Sequence, residues 1–357
     1  MVGNLSVSHM FLFPSPYRPK PVSVGLLGAV YSVDHDRYRF SHIYSGENWN
    51  PQLHAPLTQP GVNVRVGDYL LEVNGRPLYG TDNIYAFFQN TAGKQVVLTV
   101  AANPHGANSR EVTVVPVRHE MALRKQDWIE HNQKLVDKLS HGKLAYIYLP
   151  DTQAGGWTDF NRYFFSQIGK EGAIVDERFN HGGLLANYVI NELQQPVLSF
   201  ELNRYGHTQV APAAIFGPKV MIINHFAGSG GDYMPYIFKK QHVGELVGTR
   251  TWGGLVGISR YPTLMDGSMV TAPDVAIYFP NGKWEVEDHG VTPNVRVPMN
   301  PALWRKGQDP QLQAAVAIAM RELKGHTFHV VPHPPYPNHN AGSALGNSSA
   351  RDGHSGN

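Results

Sequence analysis

A serine in a turn of small residues is the first feature of the sequence that could do chemistry. Ser229 lies in the turn 227–232 (AGSGGD), after the apolar run 219–224 (KVMIIN), which predicts a buried strand, and before a helix predicted to begin near Tyr233. There a hydroxyl lies near the positive end of the helix dipole, and glycines let a substrate carbonyl approach the backbone. Ser229 is therefore a candidate nucleophile, with an ordinary turn serine as the alternative.

The known glycine-rich motifs do not fit this turn. No lysine follows the glycines as in a phosphate-binding loop, and Tyr233 takes the last glycine position of a dinucleotide-binding turn. Ala227 takes the first glycine position of the α/β-hydrolase nucleophile elbow. Phosphate binding is therefore not favoured. Asp232 is predicted to be the N-cap of the following helix.

A second glycine-rich turn follows another predicted buried strand. The stretch 174–188 (IVDERFNHGGLLANY) places Gly182 and Gly183 between a strand and a helix, as Gly230 is placed beside Ser229. Two such turns in neighbouring units could supply two converging amides, which is what an oxyanion hole requires. The alternative is a pair of ordinary strand-to-helix turns.

The base that a serine nucleophile needs cannot be chosen from spacing alone. His225 lies four residues before Ser229, His181 would crowd the second glycine turn, His289 follows EVED, and His9 stands near the start of the sequence. The residues themselves therefore predict a serine hydrolase whose base is unassigned.

Composition excludes several other classes of function. Hydrophobic residues make up 42% of the 357 positions and charged residues 16%, as in ordinary globular proteins. The net charge of +2 does not suggest nucleic acid as a partner, and no apolar run is long enough to span a membrane. Without cysteine there is no thiolate zinc site or cysteine nucleophile, and the 18 histidines form no metal-binding motif. We expect no metal and no cofactor.

Residue patterns divide the chain into four parts. The segment 22–118 has the strand and turn signals of a small β-rich module, and 121–142 predicts a linking helix. From 143 onwards strands and helices alternate, which indicates an α/β layer structure with ligands at the carboxyl ends of the strands. The predicted domains are 1–21, 22–118, 119–325 and a disordered tail, 326–357, rich in Pro, His, Asn, Ser and Gly.

Several longer motifs resemble those of tricorn-type proteases, in the wider clan of tail-specific processing peptidases. They include NLSVSHMF, GKLAYIYLPDT, AGSGGDYMPYIFKK, GTRTWGGLVGI and VEDHGVTPNV, and the resemblance extends to about residue 325. It implies an α/β fold: a crotonase-like (ClpP-like) catalytic domain with an inserted PDZ-like domain. It also implies a serine endopeptidase or oligopeptidase that acts on peptides through an acyl-enzyme.

The resemblance assigns roles to individual residues. Ser229 matches the family's nucleophile, His9 its general base, Ser8 an orienting hydroxyl, and Glu287 the acid that completes the relay in place of the usual aspartate. The amides of Gly182, Gly183 and Gly230 match the oxyanion-binding backbone. Gly254 stands where tail-specific relatives with a serine–lysine dyad carry lysine, which favours the histidine mechanism.

The resemblance also implies where substrates bind. Gly25, Leu26, Leu27 and Gly28 (in VGLLG) resemble the carboxylate-binding loop of PDZ domains, where a peptide adds as a strand. Glu201 is the nearest candidate for the acidic group that selects basic residues. At the position after the nucleophile the family usually has an acidic residue, but here Gly230 keeps only the backbone amide.

Assembly and location are expectations of the same kind. The family forms hexameric rings, so a homo-oligomer is implied, although in a chain that begins eight residues before His9 we expect the ring to need a missing segment. We expect a cytoplasmic protein, with the periplasm as the alternative. The competing functions are a truncated, non-catalytic PDZ-type peptide-binding module and acyl-CoA chemistry on a related fold; the second is disfavoured because nothing suggests nucleotide recognition.

Overall fold

The structure is a computed structural model, and it describes residues 7–16, 22–259, 261–326 and 328–337. The sequence predictions for residues 1–6, 17–21 and 338–357 lie outside these ranges.

The regular elements are numbered along the chain. The strands are β1 (Leu12–Phe13), β2 (Ala29–Asp34), β3 (Arg37–Ile43), β4 (Tyr69–Val73), β5 (Arg76–Pro77), β6 (Val96–Ala101), β7 (Arg110–Val114), β8 (Leu144–Tyr148), β9 (Gly172–Asp176), β10 (Ser199–Leu202), β11 (Thr208–Ala211), β12 (Lys219–Ile223), β13 (Gly244–Gly248), β14 (Met269–Val270) and β15 (Val295–Arg296). The α-helices are α1 (Ile84–Phe87), α2 (Met121–Leu139), α3 (Ala154–Phe165), α4 (Ala186–Leu193), α5 (Gly230–Lys240), α6 (Pro301–Trp304) and α7 (Pro310–Leu323), and two 3₁₀ turns cover Pro51–Leu53 and Pro56–Thr58.

A parallel sheet with the order β15-β13-β12-β9-β8 forms the centre of the C-terminal half of the chain. Every residue of β8, β9 and β12 is buried, as expected of strands covered on both faces. Helices α2 and α3 pack against β8, and α7 packs across β9 and β12. The predicted alternation of strands and helices is confirmed. Because β9 and β12 are neighbours, the turns that follow them meet at one edge of the sheet.

An antiparallel sheet with the order β2-β3-β4-β6-β7 lies within the range predicted to be β-rich, and β5 pairs with β4. Its core contains Phe40, Leu70 and Leu98, each fully buried. The stretch 94–117 predicts a hairpin with a long loop, and β6 and β7 form it. Strand β2 is one of the two edge strands of this sheet, and β7 is the other.

Helix α2 joins the two sheets and belongs to the second core. The sequence predicted a linking helix over 121–142, but α2 ends at Leu139, and its Ile129 and Val136 are buried among the residues of the parallel sheet. Near its start, Leu123 packs with Tyr44 and Leu53 of the β-rich part. The helix is therefore a packed element that contacts both domains.

The segment 7–16 is held by a strand pair and a buried threonine. Strand β1 pairs antiparallel with β14 through Leu12–Val270 and Phe13–Met269. The Thr271 hydroxyl donates to the His9 carbonyl at 2.6 Å and accepts from the Phe11 amide at 2.9 Å. These contacts fix the backbone on both sides of His9.

Two helix predictions are wrong in detail. The apolar spacing of residues 301–325 predicts a single capped helix, but the helix breaks after Trp304, and Asp309 caps a new helix by accepting from the Leu312 amide at 3.0 Å. The stretch 81–93 (TDNIYAFFQNTAG) predicts a helix capped by its threonine or aspartate, but the cap is the Asn83 side chain. In both cases a nearby side chain satisfies the free amides of a helix start.

The described part of the predicted tail has no helix or strand. Its Phe328 stacks on Phe216, with ring centroids 5.3 Å apart, and lies near Phe200 of β10. This stretch of the tail therefore contacts the folded domain. Among the described helices, none is both long and apolar enough to cross a membrane.

Candidate active site

Ser229 stands at the end of the turn after β12, as the N-cap of α5. Its φ of 58° and ψ of −116° are rare for a residue with a side chain, and such strain persists only when the surroundings impose it. Two acceptors fix its amide, the Gly254 carbonyl at 3.0 Å and the Asp232 carboxylate at 2.9 Å. The side chain is half-buried, so the strained turn presents a hydroxyl that can still be reached.

The Asp232 carboxylate binds this turn to a distant loop. It accepts from the Thr251 hydroxyl at 2.5 Å and from the amides of Gly253 and Gly254 at 2.8 and 3.0 Å, in addition to the Ser229 amide. Burial raises the pKa of Asp232, and the four hydrogen bonds act in the opposite direction. The prediction that Asp232 is the N-cap is wrong, because it occupies the third position of α5.

The second glycine turn is joined to the first through Asn180. The Asn180 side-chain oxygen accepts from the Gly182 amide at 2.8 Å, and its carbonyl accepts from the Gly228 amide at 3.1 Å. In this arrangement the Gly182 amide is not available to an oxyanion, contrary to the expectation from the sequence. Gly182 instead permits close approach, because a Cβ atom on it would lie 2.6 Å from the Ser229 Cβ.

The amides of Gly183 and Gly230 remain as the candidate oxyanion donors. Within the described residues neither amide donates a hydrogen bond. A Cβ atom on Gly230 would lie 2.7 Å from the Gly183 nitrogen, so the two backbones can come this close only without a side chain there. Two unpaired amides therefore lie side by side next to Ser229, as the stabilisation of an oxyanion requires.

His9 and Glu287 are connected through Ser8. The Ser8 hydroxyl lies 3.1 Å from His9 Nδ1, and the Ser8 amide donates to Glu287 Oε1 at 3.3 Å. The other carboxylate oxygen, Oε2, accepts from the amides of Leu255 and Val256 at 2.5 and 2.8 Å. The carboxylate is thus fixed by three amides and orients the residue that contacts the imidazole.

Trp252 lies between His9 and the serine turn. Its ring centroid is 5.6 Å from that of His9, and its Cε3 would lie 2.5 Å from a Cβ atom on Gly228. In the described part of the chain no hydrogen bond joins His9 to the Ser229 hydroxyl, and such bonds often form only when substrate binds. Burial lowers the pKa of His9 and the nearby Glu287 raises it, with burial dominant.

Comparison with known proteins shows the family. The tricorn protease PDZ domain family matches residues 25–119, and peptidase family S41 matches residues 143–297. Over 327 residues the chain is 36% identical to tricorn protease homolog 1 of Streptomyces coelicolor, covering 90% of this chain and 30% of that protein. It is 30% identical over 327 residues to the tricorn protease of Thermoplasma acidophilum, covering 91% of this chain and 30% of that protein.

A solved structure agrees with these matches. The crystal structure of the tricorn protease superposes with a TM-score of 0.83 at 30% identity, covering 89% of this chain and 31% of that chain. The chain belongs to the tricorn protease family. The predicted fold, an α/β catalytic domain with a PDZ domain, is confirmed. The chain spans less than a third of the length of the two tricorn relatives named above.

The other candidate bases from the sequence lie apart from this arrangement. His225 is exposed and its ring lies against Phe226, with centroids 3.9 Å apart. His289 is also exposed, and its Nδ1 lies 2.7 Å from the Glu287 carbonyl oxygen. His181 is exposed as well. His9 is therefore the candidate histidine that is linked to Glu287, through Ser8, and lies against Trp252 beside the serine turn.

The predicted substrate-binding residues lie in two other places. Glu201 is exposed on β10, which pairs with β11 in a hairpin near the C-terminal segment, so its role stays a prediction. Gly25, Leu26 and Leu27 line a groove of the tricorn PDZ domain beside β2 and α1, and Gly28 follows them in the same loop. The described residues contain no cluster of His, Asp and Glu side chains that could hold a metal ion.

Sequence reasoning missed Asn180, Trp252 and Thr271, and it misjudged Asp232. The only local signal was an asparagine or aspartate beside each glycine turn, which also fits capping. Apart from Ser229, the side-chain partners of Asp232 and Thr271 lie 19 to 262 residues away in the chain. Such contacts become visible only in the folded structure.

Replacing Asp232 by alanine is expected to destabilise the protein by about 3 kcal/mol or more, because four buried donors lose their acceptor. Urea unfolding monitored by circular dichroism measures this. The matched control is Glu192→Ala, since the Glu192 side chain makes no hydrogen bond or ion pair in the described residues. If both variants unfold alike, Asp232 does not hold the turn.

Replacing Thr271 by valine is expected to slow the reaction of Ser229 with a fluorophosphonate probe about tenfold, because an isosteric side chain then loses both hydrogen bonds beside His9. Thr271→Ser keeps the hydroxyl and should react like the unchanged protein. Equal rates for valine and serine variants would show that Thr271 does not position His9.

Proposed function

We propose that this chain is a serine peptidase that hydrolyses peptides through an acyl-enzyme. Ser229 is the nucleophile, His9 the general base, and Ser8 and Glu287 orient the imidazole. The observation that carries the proposal is the pair of unpartnered amides, from Gly183 and Gly230, beside a strained and accessible Ser229. Membership of the tricorn protease family supports it.

Acylation follows from this arrangement. The Ser229 oxygen attacks the carbonyl carbon of the scissile peptide bond while His9 takes the hydroxyl proton. The negative charge that develops on the carbonyl oxygen is stabilised by the amides of Gly183 and Gly230. The C–N bond then breaks, and His9 returns the proton to the departing amine.

Deacylation repeats these steps with water. His9 takes a proton from water, whose oxygen attacks the ester carbon, and then returns a proton to the Ser229 oxygen as the ester breaks. Glu287 favours both half-reactions because its negative charge stabilises the transient imidazolium, as its raising effect on the His9 pKa indicates. Ser8 transmits the orientation, since its amide binds Glu287 and its hydroxyl contacts His9.

Peptides or oligopeptides are the proposed substrates, cleaved internally. A preference for basic residues through Glu201 is part of the proposal from family resemblance alone. The same resemblance suggests domain limits at 22–118 and 119–325 and assembly into a homo-oligomer. A cytoplasmic location stays a prediction.

Labelling with a fluorophosphonate probe tests the nucleophile and the base. We expect the probe to modify Ser229, the Ser229→Ala variant not to be labelled, and His9→Ala to lose most of the labelling. Fluorogenic peptides with basic or hydrophobic residues before the scissile bond should be hydrolysed by the unchanged protein only.

Two outcomes would overturn these assignments. Labelling of Ser229 that does not depend on His9 would exclude His9 as the base and direct attention to His225 or His289. A folded protein that neither reacts with the probe nor cleaves any peptide would contradict the peptidase proposal and favour a non-catalytic peptide-binding module.

The pH profile of peptide hydrolysis tests the two influences on His9. The base must be neutral, and burial lowers its pKa, so kcat/KM should fall only below the ordinary histidine value of about 6.5. Glu287→Gln removes the charge that raises this pKa, so the acid limb should move to still lower pH while kcat decreases. Trp252→Ala exposes the His9 imidazole and so raises its pKa, and the acid limb of the profile should move to higher pH. Shifts of the same sign in both variants would contradict this account.

A further inference from the structure

The groove of the PDZ domain contains a carboxylate that belongs to the protein itself. The groove lies between the edge strand β2 and helix α1, and its lining includes Leu27, Tyr31, Ile84, Phe88 and Glu120. Glu120 Oε2 accepts a hydrogen bond from the Gly28 amide at 3.1 Å. Gly28 is the last residue of the loop 25–28, which the sequence predicted to bind a peptide carboxylate.

The remaining amides of this loop are arranged around that contact. The Gly25 and Leu26 amides donate to the carbonyls of Phe88 and Val117, each at 2.8 Å. The Leu27 amide makes no hydrogen bond within the described residues. The loop therefore offers amides at Leu27 and Gly28 for an anion, and a glutamate side chain already occupies one of them.

Arg124 holds Glu120 in this position. Arg124 Nε donates to Glu120 Oε1 at 2.9 Å and a second nitrogen forms an ion pair with the same oxygen, while a third donates to the Tyr44 hydroxyl at 2.8 Å. The Glu120 side chain is 13% exposed. Because charge-assisted bonds fix both of its oxygens, this side chain is not a mobile surface glutamate.

The space left between these lining residues is too small for the last side chain of a peptide. The cavity measures about 10 Å³, the room of about one water molecule. Burial raises the pKa of Tyr31 and the Glu120 charge adds to the effect, which places the carboxylate beside the apolar lining. An incoming peptide α-carboxylate would therefore meet a like charge at the position where it needs donors.

We propose that Glu120 is an internal ligand that closes the groove of the PDZ domain. A peptide with a free C-terminal carboxylate and an apolar last residue enters only by displacing Glu120 from the Gly28 amide. The apolar lining fits such a last residue, and the unpaired edge of β2 fits an added strand.

Displacement would act directly on the start of helix α2. Glu120 is the residue before Met121, the first residue of α2, and the same helix contributes Ile129 and Val136 to the core of the parallel sheet. The Glu120–Gly28 bond therefore ties the groove to an element of the catalytic domain. The proposal itself does not depend on the peptidase activity.

Fluorescence anisotropy tests the proposal on the full chain carrying Ser229→Ala, so that no probe can be cleaved. The probes are fluorescein-labelled heptapeptides that end in Val, Leu, Ile or Phe with a free carboxylate, and the same peptides with a C-terminal amide. We expect Glu120→Ala to increase the affinity for the carboxylate peptides about tenfold or more, with no increase for the amides.

Two further variants complete the test. Glu120→Gln keeps the shape and a neutral acceptor, so its gain should be smaller than that of alanine; it also carries the test if the alanine variant does not fold by circular dichroism. Glu111→Ala removes an exposed glutamate from β7 of the same domain and should change nothing. Equal affinity of the Glu120 variants and the parent, or an equal gain for amidated peptides, would overturn the proposal.

Discussion

The geometry of the site depends on one buried carboxylate. Asp232 receives hydrogen bonds from the Ser229 turn and from the loop 251–254. It therefore joins two segments that follow different strands of the sheet. The next residues of the same loop, Leu255 and Val256, give their amides to Glu287. Ser229 and Glu287, the proposed nucleophile and orienting acid, are thus fixed to opposite ends of a single short loop. A displacement of this loop would move both together.

Burying a carboxylate is unfavourable unless donors replace the lost water. Asp232 is fully buried, and its four donors replace that water while also defining the backbone around them. The amide of Ser229 is one of these donors, so the strained conformation of the serine is maintained by the same contacts that make the burial of Asp232 tolerable. The backbone strain at Ser229 and the hydrogen bonding of the buried Asp232 carboxylate therefore depend on the same contacts.

Local patterns in the sequence predicted what local physics determines. The apolar runs of β9 and β12 and the glycines after them were sufficient to predict two turns at one sheet edge, because parallel neighbours end on the same side. His9 could not be chosen from spacing, since 220 residues separate it from Ser229 and only family resemblance assigned it. Asp232 was misjudged because acidic residues at helix starts usually cap, and Glu120 was missed because its partner, Gly28, lies 92 residues earlier.

Asparagine side chains hold both glycine turns by hydrogen bonds. This explains how the Gly183 and Gly230 amides can stay in place without an acceptor of their own. An asparagine side chain is buried beside each turn: Asn180 accepts from the Gly182 amide, and Asn224 accepts from the amides of Phe179 and Phe226, each at 3.1 Å. These buried acceptors engage the flanking amides and leave the Gly183 and Gly230 amides without an internal partner. Donors held in this way do not have to reorient when charge develops on a substrate oxygen, and that saving is what makes an oxyanion hole effective. The unpaired amides are therefore a consequence of how completely their neighbours are paired.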